Sequence, residues 1–513
     1  MYLLVACLLI AFTSVHGDLP CAGRDYGGGS IVCVCNSTYC DTVTVTRPVP
    51  LHSVSSFTSS KGGDRFGFVL LSLKNISTKS EQERVTINIF SSKKYQTVKG
   101  FGAALTDAAS INILSLSSKA QQQLLKSYFS SNGIEYNMIR VPIASCDYST
   151  REYTYLDTPN DYNLSTFALA KEDLMYKIPL LKSIYQLSTR QLSLYGSPWT
   201  APAWMKTSDN EIGRGWLKGS AGDKYHKTWA QYFVKFFDEY KKHGISFWGV
   251  TAQNEPSNGL LEDSTWQSTG FSPEMQRDFV KLDLGPALVG AGYGNIKLMI
   301  LDDQRMFLPN YPATVLNDPG AAKYVSGIGV HWYWNWLASP ELLQATHDKF
   351  PDVFILATEA CNKDSPGPDL GNWEDGVKYS NDILDNLNNW SVGWVDWNMC
   401  LNLQGGPNWA KNFDDSPIIV NGTGDEFYKQ PMYYHLGHFS KFVTEGSVRI
   451  GSSINASNTG LKFVAFHRPD GNYVLIVLNP TENTADIDIV HGNYKFTTTV
   501  PVNGIQSFFW SEP

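Results

Sequence analysis

Beyond its first dozen residues the chain has no segment approaching the roughly 20 apolar residues that a bilayer span needs. It also lacks an internal repeat, a low-complexity tract and a long run of like charge, so nothing in it reads as a repeat array or a disordered tail. No Gly-rich dinucleotide fingerprint follows an early strand-like segment, which argues against an open doubly wound sheet. The net charge of −8 and a pI near 5.7 offer no cationic footprint for nucleic acid. His331 has no thiol or histidine at metal spacing, so a metal role is not expected. What remains is a globular chain of 513 residues, large enough for more than one domain.

The apolar run Leu3 to Phe12 is followed by Thr13-Ser14-Val15-His16-Gly17, where Val15 and Gly17 fit the small-residue cleavage rule. A secretory leader over residues 1–17 is therefore expected, although no Lys or Arg precedes its apolar core. Four cysteines crowd behind it: Cys21, Cys33, Cys35 and Cys40. After a leader they read as two disulfides rather than a zinc site. A Cys33–Cys35 bridge is too cramped, and Cys21–Cys33 with Cys35–Cys40 is the favoured pairing. Cys146, Cys361 and Cys400 are expected to be free. Sequons at Asn36, Asn75, Asn163, Asn389, Asn421 and Asn455 mark expected glycosylated surface positions, while Pro480 disqualifies Asn479. Aromatics reach 13% of the chain, with 15 Trp and 26 Tyr. Most such rings fill cores, but in a secreted chain some are expected to stack on the C–H faces of sugars.

Two strand-like stretches, Arg65–Lys74 and Arg84–Ser92, precede a change of pattern near Lys99. Eight short apolar runs then alternate with helix-like segments such as Ser118–Phe129 and His226–Lys242. The runs are Thr97–Leu105, Tyr136–Pro142, Gln191–Pro198, Ser246–Gln253, Lys297–Asp302, Gly327–His331, Val353–Thr358 and Val392–Asn398. Eight β–α units over about three hundred residues predict a (β/α)₈ TIM barrel, an α/β fold. From Val448 the pattern reverts to short strands: Leu461–His467, Tyr473–Leu478, Ala485–Val490 and Tyr494–Val500. These predict an all-β sandwich that the two early strands help to complete.

Such a barrel carries its chemistry at the C-terminal ends of its strands. The fourth run ends Gln253-Asn254-Glu255-Pro256 and the seventh ends Ala357-Thr358-Glu359-Ala360. Two carboxyl groups facing each other across the mouth are what retaining glycoside hydrolysis requires. One protonates the leaving oxygen while the other attacks the anomeric carbon, at a separation of about 5–5.5 Å. Either glutamate alone reads equally well as a helix cap or surface acid. Asn254 changes that balance, because an amide beside the acid suits the sugar 2-OH. Glu255 is the candidate acid/base and Glu359 the candidate nucleophile. Arg140 is placed to keep a nearby carboxylate ionised, and Tyr333 to donate to the nucleophile. Asp147, Trp199 and Trp397 end neighbouring strands and are candidates for sugar hydroxyls and a sugar face. Cys361 reads as a passive wall. No metal or cofactor is required.

The stretches VCVCN at 32–36, RVPIASCD at 140–147, SPWT at 197–200, NEPS at 254–257, HWY at 331–333, TEAC at 358–361 and DWN at 396–398 resemble the acid β-glucosidases of glycoside hydrolase family 30 over nearly the whole mature chain. The resemblance implies hydrolysis of glucosylceramide to glucose and ceramide by double displacement, with glucosyl transfer as a side activity. It implies substrate contacts for Asp147, Trp199, Asn254, Trp397 and Asn412, and a supporting shell of Arg140, His331 and Tyr333. It further implies a peripheral role at a membrane surface in the lysosome lumen, with secretion as the alternative, aided by anionic phospholipid and a saposin-type activator. The expected division is a disulfide-bearing β-subdomain from 18–46 with 399–430, a sandwich from 47–94 with 447–513, and a barrel from 95–398 with 431–446. This chain departs from the family around the mouth. Ser264 and Trp266 replace Tyr and Phe, Tyr148 replaces Phe, Asp414 replaces an aliphatic residue, and Cys400 is additional. The rival readings are a xylan or β-1,6-glucan hydrolase on the same strands, and a non-catalytic lectin, which the presence of both glutamates disfavours.

Overall fold

The computed structural model describes residues 18–45, 49–76, 84–363 and 366–512; the expected leader lies outside them. Eight parallel strands close into a barrel: β1 (Gly100–Ala104), β2 (Met138–Ile143), β3 (Ser193–Pro198), β4 (Gly249–Thr251), β5 (Lys297–Gln304), β6 (Val325–His331), β7 (Phe354–Glu359) and β8 (Ser391–Asn398). All eight expected runs contribute one strand each. The first is shorter than expected because Thr97 ends a 13-residue strand of another sheet, Val85–Thr97. That strand runs on from the apolar alternation into Ser91–Tyr95, where polar side chains suit an exposed ladder, so the sequence pattern hides its true end.

Barrel strands are buried on both faces, which is why they read as continuous apolar runs rather than as alternation. β2, β3 and β7 are buried almost throughout. A Cβ on Gly102 of β1 would collide with the Met138 carbonyl of β2, so glycine lets these two strands close. Met138, Tyr195, Met299, Leu356 and Val395, from five different strands, pack into one cluster that fills the barrel interior. The outer ring includes Lys224–Lys242, whose start precedes the expected His226 because Asp223 caps it, accepting from Tyr225 N–H at 2.9 Å. Ser117 caps Ser118–Phe129 in the same way.

Ten strands form the β-sandwich ladder, with strands from both sides of the barrel in sequence. Three of its strands escaped the sequence pattern: Ser53–Ser60, Val448–Ile454 and Gly504–Trp510. Ser53–Ser60 (SVSSFTSS) reads as a polar loop, yet Ser56 and Ser59 are buried and the segment pairs antiparallel with Gly504–Trp510. Burial there is made tolerable by hydrogen bonding, since Ser59 Oγ accepts from Phe66 N–H at 3.1 Å.

The third sheet joins Gly23–Asp25 and Ile31–Asn36 to Glu426–Lys429, Ile418–Asn421 and Leu401–Asn402. Disulfides Cys21–Cys33 and Cys35–Cys40 staple its first part, and Cys146, Cys361 and Cys400 are free and buried. Of the sequon asparagines, Asn75, Asn163 and Asn455 are exposed, and Asn36, Asn389 and Asn421 are half-buried. No helix among the described residues is long and apolar enough to cross a membrane.

Candidate active site

The strand ends converge on a cavity of about 180 Å³. Glu255, Glu359, Asp147, Trp199, Asn254, Trp397 and Asn412 all line it, as does Tyr333, which sequence reasoning had placed behind it. Arg140 and His331 lie fully buried beneath.

Glu359 ends β7 and reaches the cavity with both oxygens engaged. Tyr333 OH donates to Oε1 at 2.8 Å, and the Arg140 guanidinium holds Oε2. Arg140 also donates to Asn254 Oδ1 and Asp302 Oδ2, each at 2.8 Å, and to Ser197 Oγ at 3.1 Å. Its guanidinium lies over the Trp199 ring at 4.9 Å and near that of Trp397 at 5.4 Å, and these two rings stack 5.0 Å apart.

Glu255 sits just past β4 in the left-handed region, at φ 39°. A side chain there costs on the order of 1–3 kcal/mol, which surrounding structure must offset. The turn is held by Glu255 N–H donating to Asp302 O at 2.9 Å and by Ser257 N–H donating to Asp303 Oδ2 at 2.9 Å. Gln304 Nε2 donates to Glu255 Oε1 at 3.0 Å, and Asn258 Nδ2 to Oε2 at 2.5 Å. One oxygen of Glu255 and one of Glu359 lie within 4.8 Å of each other.

His331 joins the two halves. Nδ1 lies 3.1 Å from Glu255 Oε1 and Nε2 lies 3.0 Å from Asp302 Oδ1. Burial alone would discharge this imidazole. The Glu359 charge and the hydrogen bonds to Asp302 and Glu255 outweigh burial and push His331 up to about 10. Glu255, His331 and Glu359 have the proximity of a metal triad. Both ring nitrogens are committed to carboxylates, however, so His331 acts as a double donor rather than a ligand. Burial resists ionisation of Glu255 too, but the His331 hydrogen bond and charge hold it below the usual carboxylate range. The neighbouring Asp303 is pushed up to about 7 by burial and by the Glu255 charge. Asp147 is likewise raised by burial to about 7, against the opposing charge of Lys363; Asn412 Nδ2 donates to its Oδ2 at 3.1 Å.

Sequence reasoning missed Asp302, Asp303 and Gln304, although β5 ends LDDQ and carries the signal used for the fourth and seventh runs: acids directly after an apolar strand. A register shift between Leu301 and Asp303 in the β5–β6 pairing, with φ 65° and 56° at Leu301 and Asp302, re-aims these side chains. Asn258 from a single 3₁₀ turn, and Trp334 and Lys363 from loops, also line the cavity, where no periodicity points to them.

Residues 98–443 match the family description "Glycosyl hydrolase family 30 TIM-barrel domain", and residues 446–508 match "Glycosyl hydrolase family 30 beta sandwich domain". The chain is 47% identical over 508 residues to lysosomal acid glucosylceramidase of Mus musculus, covering 98% of each chain. Among solved structures it resembles SrfJ of Salmonella typhimurium (26% identity, TM-score 0.83) and an endo-β1,6-glucanase (27% identity, TM-score 0.79). Each of these likenesses covers 90% of this chain and all of the other. Sequence, barrel and sandwich agree: the chain is a glycoside hydrolase and belongs to glycoside hydrolase family 30.

Proposed function

We propose that this protein is a retaining β-glucosidase acting on glucosylceramide, with Glu359 as nucleophile and Glu255 as acid/base. The observation that carries this reading is the carboxylate pair, whose closest oxygens lie within 4.8 Å of each other. That spacing suits the short separation of retaining enzymes and leaves no room for a water between nucleophile and sugar.

The two partners' surroundings divide the labour. Glu359 takes a guanidinium and a phenol hydroxyl, which fix it as an aimed anion. Its oxygen attacks the anomeric carbon as the bond to the ceramide oxygen breaks, and Glu255 gives that oxygen its proton. In the second step Glu255 takes a proton from water, which attacks the same carbon and frees Glu359. His331 favours the ionised form of Glu255. A bound sugar desolvates Glu255 by displacing water and strengthens the effect of the Glu359 charge across the pocket, and both effects draw a proton onto Glu255. The same glucosyl ester passed to an alcohol in place of water gives transglucosylation. Asp147, Asn254, Asn412, Trp199 and Trp397 are assigned to the sugar, and Arg140, His331 and Tyr333 to the carboxylates.

The glucosylceramide substrate is supported by the 47% identity to the mouse glucosylceramidase. A peripheral position at an anionic lipid surface in the lysosome lumen, a saposin-type activator, cleavage of the leader after residue 17 and glycans at the six sequons belong to the same proposal. The test compares glucosylceramide with anionic vesicles, aryl β-glucoside, aryl β-xyloside, xylan and β-1,6-glucan at acidic pH, and follows the first-formed glucose anomer by NMR. Release of β-glucose from the lipid is the expected result. Polysaccharide cleavage without glucosylceramide turnover would overturn the substrate, and α-glucose would overturn retention.

A further inference from the structure

Two of the departures at the mouth touch each other. Tyr148 OH lies 2.5 Å from Asp414 Oδ2 and 2.7 Å from the Asn412 carbonyl oxygen. Asp414 is 1% exposed, and its Oδ1 has no hydrogen-bond partner among the described residues. Cys361 Sγ also donates to Oδ2 at 3.4 Å, but a buried carboxylate with one oxygen left without a donor is costly, and a nearby cation offsets part of that cost. Lys363 supplies that cation: its Nζ lies 3.7 Å from Asp414 Oδ2 and 4.6 Å from the centroid of the Tyr333 ring. Lys363 lines the cavity beside Asp147, Tyr333 and Asn412.

The rest of the pocket is rich in acceptors. Glu255, Glu359 and Asp147 present carboxylates, and four of the neutral donors beside them are already committed to these carboxylates. Gln304 and Asn258 donate to Glu255, Tyr333 to Glu359, and Asn412 to Asp147. A sugar hydroxyl both donates and accepts. Carboxylates satisfy its proton, while its lone pairs need a donor, and an ammonium offers three. A charge-assisted bond of this kind is stronger than a neutral one.

We propose that Lys363, braced by Asp414 and the Tyr333 ring, is a sugar-contacting residue that donates to one hydroxyl of the bound glycoside and so sets the pocket's sugar preference. This rests on the pocket being a sugar site. Asp414 is then a positioning residue, acting through Lys363, and Tyr148 locks Asp414 by sharing its single proton between the carboxylate and the Asn412 carbonyl. The brace also explains how a buried acid is accommodated where the family carries an aliphatic side chain.

The test measures kcat/KM of wild type, Lys363→Met and Asp414→Asn on an aryl β-glucoside and on its 2-, 3-, 4- and 6-monodeoxy analogues. Thermal melting serves as the control for folding. Loss of a charge-assisted hydrogen bond predicts a fall of roughly tenfold or more for Lys363→Met on the full glucoside, carried mainly by KM. For one deoxy analogue, the one lacking the contacted hydroxyl, wild type and Lys363→Met should agree within about twofold. Asp414→Asn should show the same signature at smaller size. An unchanged kcat/KM in Lys363→Met overturns the proposal. So does an equal loss on every analogue, which would mean that Lys363 acts only through its charge on the carboxylates. Failure of wild type to cleave any glucoside removes the sugar-site reading itself, and the role of Lys363 falls with it.

Discussion

His331 in the barrel mouth and His438 at the seam between barrel and sandwich are almost equally buried, at 2% and 0% exposure. Their protonation is driven in opposite directions. His331 lies between Asp302 and Glu255, with Glu359 4.0 Å away, and is raised to about 10. His438 lies between two hydroxyls, Ser507 Oγ at 2.8 Å and Ser59 Oγ at 2.9 Å, and burial lowers it to about 3. Burial is common to both, so the neighbours decide. A serine completes an imidazole's hydrogen bonds without charging it, whereas two carboxylates make it a fixed cation. The seam is organised for packing, with Phe66 and Phe442 against the ring. The mouth is organised as a field.

That contrast breaks most visibly if the charges of the mouth are removed one at a time. Glu359→Gln keeps the shape and one oxygen to accept from Arg140, sets an NH2 against the Tyr333 hydroxyl, which can accept, and removes the anion. A loss of activity on the order of 10⁴-fold or more is expected, with little change in melting temperature. Residual turnover near wild type would show that the nucleophile lies elsewhere. Glu255→Gln should be smaller and graded by leaving group. We expect about 10²- to 10⁴-fold on glucosylceramide, whose leaving alkoxide needs a proton, and far less on a dinitrophenyl glucoside, which does not. Equal losses on both substrates would contradict a proton-donor role.

Asp302→Asn tests the floor rather than the reaction. It places an amide donor against Arg140 Nη2 or His331 Nε2, both already donors, and takes away an anion that is paired with both buried cations. A destabilisation of about 3 kcal/mol is expected in urea titration, together with a fall in the His331 pKa that NMR would follow. If stability is unchanged, the floor is not held by charge and the contrast with the seam loses its basis.

How much of this was legible in the sequence follows the same divide. Barrel strands are apolar on both faces and announce themselves as runs, so the eight strands and the terminal Glu359 stood out. Glu255 stood out because Asn254 and Pro256 flank it just past such a run. The disulfide-bearing sheet pairs Ile31–Asn36 with Glu426–Lys429 across nearly the whole chain, and local pattern carries no information about so distant a partner. Lys363 and Asp414 sit on loops with no period. Their value comes from a 3.7 Å approach that only the folded chain creates. Ser53–Ser60 failed for another reason: its serines are buried through hydrogen bonds, so composition pointed to a loop while tertiary pairing made a strand.

The smallest expected effect lies in the seam and concerns pH. His438 is depressed from an ordinary 6.5 to about 3, so below pH 6.5 the unfolded chain binds a proton there that the native state refuses. The contribution of this histidine is fully present above pH 6.5 and is lost as pH falls toward 3. His331 has the reverse sign: its contribution is present below 6.5 and lost as pH rises through about 10. Gln is a useful replacement for His438, because its amide can accept from one serine and donate to the other while never taking a proton. His438→Gln is expected to lose about 1 kcal/mol at pH 7 from poorer packing against Phe66 and Phe442, and to show a shallower loss of stability than wild type between pH 6.5 and 4. Chemical denaturation at four or five pH values would measure the slope difference. Parallel curves would mean that His438 is not the neutral, proton-refusing histidine that its two serine partners imply.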